Sequence, residues 1–283
     1  MDYERKAIGL MDRAGYTVLK TKDSSMGADH TVILMWTDKG DYVARFCKNK
    51  NAVMTHAWAC KVWSRYHLPK ILLKGKDYSI ETMTQGTTFA HAKMTTKEQL
   101  KVMKTVGKLL RQMHKVKTKR YGYLVRPGVG QVDSWKKYVL RMTNKRLNSI
   151  SRILPEELLS KTKKYLLQNV HILEFHNPVL VHKDISADNI MMHDGKFSGI
   201  IDAADALSGD PMYEIAAMRD RFSKPKMRCA KLVSALESAY GKIDERRVRY
   251  YTVVHTIGRI HKRYNKKWVL FYVRRLEGLV DEI

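Results

Sequence analysis

The chain has 283 residues, 44% hydrophobic and 29% charged, enough apolar material for a sizeable core in one domain or two lobes. Lysine and arginine number 53 against 28 acidic residues, a net charge of +25. That balance points to an anionic partner such as nucleic acid, a ribosome, an acidic protein or a phosphorylated metabolite, or to a surface merely kept solvated by lysine. No apolar run is long enough to cross a bilayer, and Met1-Asp2-Tyr3-Glu4-Arg5-Lys6 lacks the pattern of a secretory signal. Cys47, Cys60 and Cys229 are odd in number and have no metal-type spacing, so a reduced, cytoplasmic protein with no membrane partner is expected.

Residues 3–14 have the spacing of a short amphipathic helix, with Ala7, Leu10, Met11 and Ala14 on one side and Gly15 as its stop. Strands are expected at 16–20, 31–36 and 42–46. The loop 22–30, with Ser25 and Gly27, separates the first two, and a turn at 38–41 separates the second from the third. A helix over 54–66 contains no acidic residue. Leu68-Pro69 then leads into a further strand, and Tyr78-Ser79-Ile80-Glu81-Thr82-Met83-Thr84-Gln85-Gly86 follows. Thr95 and Glu98 form a capping box that opens a long helix with Leu100, Met103, Val106, Leu110 and Met113 at helical spacing; His114 at its end reads as a core or hydrogen-bonded residue. Pro155 opens another helix, and the remaining chain beyond Ala216 reads as helical. The stretch 259–275 mixes Lys, Arg, Tyr and Trp; it suits a phosphate backbone or a solvated helix face, and the second reading is preferred.

Between these regions lies Val179-Leu180-Val181-His182-Lys183-Asp184-Ile185-Ser186-Ala187-Asp188-Asn189-Ile190-Met191-Met192. Apolar runs flank a polar turn, which reads as strand, loop, strand. His182, Asp184 and Asn189 fit H-x-D-x-x-x-x-N, the spacing of a kinase catalytic loop. Phosphoryl transfer needs a carboxylate to orient the attacking hydroxyl and accept its proton, and Asp184 suits that task. It also needs hard oxygen ligands for Mg²⁺, and the amide oxygen of Asn189 is one. On its own, such a loop is also what an ordinary Asp/Asn-capped turn produces. A second short strand, Phe197-Ser198-Gly199-Ile200-Ile201, ends in Asp202, and the connection His193-Asp194-Gly195-Lys196 has the Asp-Gly centre of a tight hairpin.

The segments Val-His-Lys-Asp-Ile-Ser-Ala-Asp-Asn-Ile-Met, Gly-Ile-Ile-Asp202 and Gly209-Asp210-Pro211-Met212-Tyr213-Glu214-Ile215-Ala216 together resemble the aminoglycoside phosphotransferase family, which includes choline-kinase-like enzymes. The resemblance implies an α+β, bilobal protein-kinase-like fold: a small N-terminal β-sheet lobe for the nucleotide (1–85) and a larger, mainly helical catalytic and substrate lobe (86–283). It implies a Mg²⁺-dependent transfer of the γ-phosphate of ATP or GTP to a hydroxyl. Asp184 is then the catalytic base, His182 braces its loop, and Asn189 and Asp202 are the Mg²⁺ ligands. The loop with Ser25 and Gly27 covers the phosphates, Arg45 holds the α- and β-phosphates, and backbone groups near Thr82 and Met83 face the purine. Asp210 is structural, and Glu214 stands where the family usually has Asp. The family's helix acid, which holds the phosphate-binding cation, is missing from 54–66, where His56 lies near the expected position. The acceptor expected from the basic charge is anionic or macromolecular, a small molecule or a protein Ser/Thr, and not a polycationic aminoglycoside. The alternative is a catalytically weak kinase-like module that binds nucleic acid or a ribosome through its basic surface.

Overall fold

A computed structural model describes residues 2–24, 30–222, 230–262 and 265–281. In chain order the elements are α1 (Tyr3–Arg13), β1 (Val18–Asp23), β2 (His30–Thr37), β3 (Gly40–Cys47), α2 (Lys50–Val62), β4 (Ile71–Lys74), β5 (Tyr78–Thr82), β6 (Thr87–Thr88) and α3 (Thr96–Met113). They continue as β7 (Tyr121–Arg126), β8 (Val129–Val132), α4 (Trp135–Ile150), α5 (Glu156–Gln168), β9 (Val179–Val181), β10 (Ile190–His193), β11 (Lys196–Ile200) and β12 (Leu207–Gly209). The chain closes with α6 (Pro211–Phe222), α7 (Ala230–Tyr240), α8 (Glu245–His261) and α9 (Lys266–Asp281). Among the described residues no helix is long and apolar enough to cross a membrane.

The chain divides into two compact units. The first comprises Met1–Glu98, Leu124–Pro127 and Ala187–Ala206; the second comprises Gln99–Tyr123, Gly128–Ser186 and Leu207–Ile283. In the first, an antiparallel sheet runs in the order β1-β2-β3-β5-β4. Strands β2 and β3 alternate, so one row of side chains from each points to a common face. Ile33, Met35, Tyr42, Ala44, Phe46 and Ile80 pack there with Ala7 and Met11 of α1, the helix face expected from the sequence. Asp2 caps α1 by accepting from Arg5 N at 3.1 Å, and Gly15 leaves the helix at φ +80°. Helix α2 starts earlier than its apolar spacing suggests, because Asn49 caps it by accepting from the N–H groups of Asn51 and Ala52.

The first unit also holds a second sheet, β11-β10-β6. Its hairpin turns at Asp194 and Gly195, with φ of +48° and +68°, the two positive values that a type I′ turn requires. Gly86, which leads into β6, has φ +107° and lies against the Met192 backbone so closely that a Cβ would collide with the Met192 carbonyl.

The second unit is mainly helical, and a further sheet runs in the order β8-β7-β12-β9, with the start of β7, residues 121–123, in this unit. Trp135 at the start of α4 is buried, stacks on Tyr138 and donates to the Tyr251 hydroxyl at 2.7 Å. Helix α6 is buried over most of its length, Met212 to Met218 included. The basic stretch near the C-terminus is only in part a solvated face: Arg259 donates to the buried Asp220 at 2.7 Å, and Arg275 lies 3.8 Å from the same carboxylate.

Candidate active site

The polar loop after β9 belongs to the second unit as far as Ser186, and its continuation from Ala187 belongs to the first. Lys183 adopts φ +69°, a left-handed conformation that costs a lysine free energy and persists only where its surroundings hold it. The buried Glu214 of α6 supplies that hold. One of its carboxylate oxygens accepts from Lys183 N at 2.8 Å, and the other accepts from His182 N at 3.1 Å. Glu214 also meets His114 Nε2 at 2.9 Å, and His114 Nδ1 meets the Tyr240 hydroxyl. Burial pushes the Glu214 carboxyl up, but the hydrogen bond and charge of His114, together with the His182 amide, outweigh that and lower it.

Asp184 therefore leaves a fixed backbone. Its N–H donates to His182 Nδ1 at 3.3 Å, and His182 is fully buried, so the geometry fits a brace. The guanidinium of Arg221, on α6, donates to the Asp184 carboxylate and to the carbonyls of Lys183 (2.9 Å) and Ile185 (3.3 Å). Lys183 sends its ammonium to the Tyr123 hydroxyl and over that ring. Asp184 thus pairs with the Arg221 guanidinium, while the Lys183 ammonium is taken up by Tyr123. Asp210 caps α6 by accepting from Met212 N and is bound by Arg247 at 2.9 Å and Tyr251 at 2.8 Å, a purely structural set of partners.

In the first unit the hairpin β10–β11 carries Asn189 just before its first strand and Asp202 just after its second. The carbonyl of Asn189 accepts from Ile201 N at 3.0 Å, so the two residues bracket one open hairpin end. Asp202 has φ +64°, a second strained position. Arg45 of β3 lies with its Nη1 3.8 Å from Asp202 Oδ1. Asn189, Asp202 and Arg45 are thus brought to one region of this unit, beside a small cleft that Arg45, Asp202 and Ser79 help to line.

The missing helix acid has a counterpart on a strand. Val43 pairs with Glu81 and Arg45 with Ser79 across β3 and β5, so Arg45 and Glu81 are diagonal neighbours on one face. Arg45 Nε donates to Glu81 Oε1 at 2.8 Å, and the other oxygen of Glu81 meets His56 Nε2 from α2. Glu81 and His56 are almost wholly buried. Burial opposes both charges, yet their mutual attraction, with Arg45 acting on Glu81, wins: the carboxyl is held down to about 2 and the imidazole is pushed up to about 10. Burial also works against the Arg45 charge, and Glu81 and Asp202 more than offset it. His56, Cys60 and Glu81 offer ligand atoms within 4.8 Å of one another. Both Glu81 oxygens already face cations, so the cluster is an ion-pair network.

Thr82 ends β5 and Met83 follows it. Their N–H groups donate to the carbonyls of Lys70 and Asp41, both at 2.9 Å, and are therefore engaged within the sheet. Ser25 and Gly27 lie outside the described residues. Sequence reasoning did not single out Glu81 or Arg221. The available signal for Glu81 was a lone acid in the strand Tyr78-Ser79-Ile80-Glu81-Thr82, on the row that alternation assigns to the face of Val43.

A sheet followed by helices, an H-x-D-x-x-x-x-N loop and a hairpin ending in Asp define a kinase-like phosphotransferase class. The model of the phosphotransferase enzyme family matches residues 21–251, and the chain belongs to that family. A search of curated proteins finds no match. Among solved structures, a thermostable mutant of aminoglycoside phosphotransferase APH(4)-Ia in ternary complex with AMP-PNP and hygromycin B superposes with a TM-score of 0.75 at 17% identity, covering 96% of this chain and 97% of that one. ADP-bound aminoglycoside phosphotransferase APH(2'')-Ib gives 0.66 at 17% identity over 99% and 98%. The GDP complex of a mutant aminoglycoside 2'-phosphotransferase-IIIa gives 0.72 at 13% identity over 100% and 98%. The protein-kinase-like α+β fold expected from the sequence is thus present, and the protein is a phosphotransferase by family.

Proposed function

We propose that the protein transfers the γ-phosphate of ATP or GTP to a hydroxyl of an anionic or macromolecular acceptor, with Mg²⁺ as cofactor. The observation that carries this reading is the open end of the β10–β11 hairpin, bracketed by Asn189 and Asp202, with Arg45 3.8 Å from the latter. An amide oxygen and a carboxylate are hard oxygen donors, the set that suits Mg²⁺. When bound, the ion would neutralise charge on the phosphates. In this reading residues 1–85 form the nucleotide lobe, Arg45 meets the α- and β-phosphates, and backbone near Thr82 and Met83 borders the purine. Asp184 accepts the proton of the acceptor hydroxyl, and His182 holds its loop.

The names of the structural relatives carry adenine and guanine nucleotides alike, which supports nucleotide binding and leaves both open as donors. The anionic acceptor is supported by the net charge of +25 and by the Arg221 guanidinium at the Asp184 carboxylate.

The test is label transfer from γ-labelled ATP and GTP with Mg²⁺ into fractionated cell lysate, wild type beside Asp184→Asn. Loss of a positioned base costs about 10²–10⁴-fold, so label should appear with wild type and vanish with a folded variant. Undiminished transfer by Asp184→Asn would sink the assignment of the base. Efficient phosphorylation of purified hygromycin B would overturn the acceptor class. No transfer, together with nucleic-acid affinity that falls steeply with salt, would favour a basic binding module instead.

A further inference from the structure

We propose that Glu81 and His56 are positioning residues for the nucleotide phosphates: Glu81 fixes the guanidinium of Arg45 from the neighbouring strand, and His56 clamps Glu81 from helix α2. This rests on the reading in which Arg45 meets those phosphates.

An arginine that must meet phosphates repeatedly in one geometry has a long, flexible side chain to restrain. The usual restraint is a carboxylate on the adjoining helix. Helix α2, Lys-Asn-Ala-Val-Met-Thr-His-Ala-Trp-Ala-Cys-Lys-Val, contains none. Its inward face presents Val53, His56, Ala57 and Cys60, all buried. The acid is on β5 instead, where the register places Glu81 diagonal to Arg45.

Each Glu81 oxygen takes one cation: Oε1 accepts from Arg45 Nε at 2.8 Å, and Oε2 meets His56 Nε2. The bond through Nε orients the guanidinium plane, and Nη1 then extends toward Asp202 at 3.8 Å. The helix thus supplies a cation and the strand an anion, the reverse of the arrangement expected from the family. The link between α2 and the phosphate-binding arginine survives because one carboxylate serves both.

A chain with only the Arg45–Glu81 pair would leave α2 uncoupled from the arginine. A chain with only His56–Glu81 would leave Arg45 loose. The three-member network makes distinct demands on each member, and a charge exchange can separate them from simple packing.

The experiment measures the affinity of purified full-length protein for fluorescent Mg-ATP and Mg-GTP analogues. It compares wild type, Glu81→Gln, His56→Gln and the double exchange His56→Glu with Glu81→His, with folding checked by circular dichroism. Glu81→Gln should weaken binding by about tenfold or more, and His56→Gln by several-fold, the loss of charge-assisted hydrogen bonds to a buried group. The exchange variant, which returns the acid to the helix with the same net charge, should recover to within about threefold of wild type, since one helix–strand carboxylate then again restrains Arg45. A merely structural role predicts variants that lose stability while the folded protein keeps wild-type nucleotide affinity. Folded Glu81→Gln that binds like wild type would overturn the proposal, as would a folded exchange variant no better than Glu81→Gln. Should Glu81→Gln fail to fold, folded His56→Gln with wild-type affinity overturns it. Wild type that binds neither nucleotide, with or without Mg²⁺, instead brings down the functional reading beneath it.

Discussion

Arg221 grips Asp184 at three points, donating to its carboxylate and to the carbonyls of Lys183 and Ile185 on either side. The proposed base is thus held by a side chain from α6, the same helix whose Glu214 holds the N–H groups of His182 and Lys183. One buried helix controls both the donors and the acceptors of the loop.

Arg221→Lys separates charge from geometry. A lysine keeps the cation but has no rigid fork to reach three acceptors. Label transfer should fall by about tenfold, the scale of one or two charged hydrogen bonds, with nucleotide affinity unchanged. Transfer at the wild-type rate would show that the grip on Ile185 and Lys183 is dispensable.

Stability should pass through a maximum near neutral pH, set by two buried histidines with opposite behaviour. His56, facing Glu81 and Cys60, is pushed up to about 10 from 6.5, burial notwithstanding. The native state therefore holds the extra proton, and this stabilisation is full below 6.5 and is lost as pH rises through 10. His255 donates to the Tyr213 carbonyl at 2.9 Å beside Asp220, Arg221 and Arg259, and burial pulls it down to about 3. The unfolded state then binds the extra proton, so stability falls as pH drops from 6.5 toward 3. Denaturant midpoints across this range should show both arms. His56→Gln should flatten the alkaline arm and His255→Gln the acidic arm. An unaltered profile in either variant would refute the assignment for that histidine.

Gly86→Ala should destabilise the protein by about 2 kcal/mol or more, since a Cβ meets both a positive φ and an immovable backbone. The obstacle is the Met192 carbonyl. Urea denaturation checks this, and a variant within about 0.5 kcal/mol of wild type would show that the segment yields, as ordinary surface sites do.

The legible parts of the sequence were those in which local chemistry determines local structure. The Asp-Gly turn, the Thr95–Glu98 box and the His182, Asp184, Asn189 spacing all announce themselves within a few residues. The box is closed by hydrogen bonds of 2.7 Å and 3.3 Å, as its pattern demands. Helix α4 was not legible: its basic surface residues mask the buried Trp135, Tyr138, Val139 and Leu147, and its cap, Ser134, resembles any loop serine. Long-range charge pairs were hidden for a different reason. Arg45 and Glu81, or Asp184 and Arg221, are dozens of positions apart, and only strand register or helix packing makes them partners. The expectation of an absent cation anchor followed from reading α2 alone. In the neighbouring strand, Glu81 becomes a partner of Arg45 only through the strand register.

The Arg45 network has an electrical consequence. Arg45 and His56 bring two positive charges, and Glu81 and Asp202 bring two negative ones, so this cluster adds nothing to the chain's positive surplus, formally +25 with histidine counted neutral. The surplus therefore lies elsewhere on the molecule. Exposed charges act over a screening length of about 10 Å at 0.1 M salt, whereas buried pairs feel salt little. Under the proposed function, capture of an anionic ligand and the grip on its phosphates would thus belong to different sets of charges, with ionic strength acting chiefly on the first.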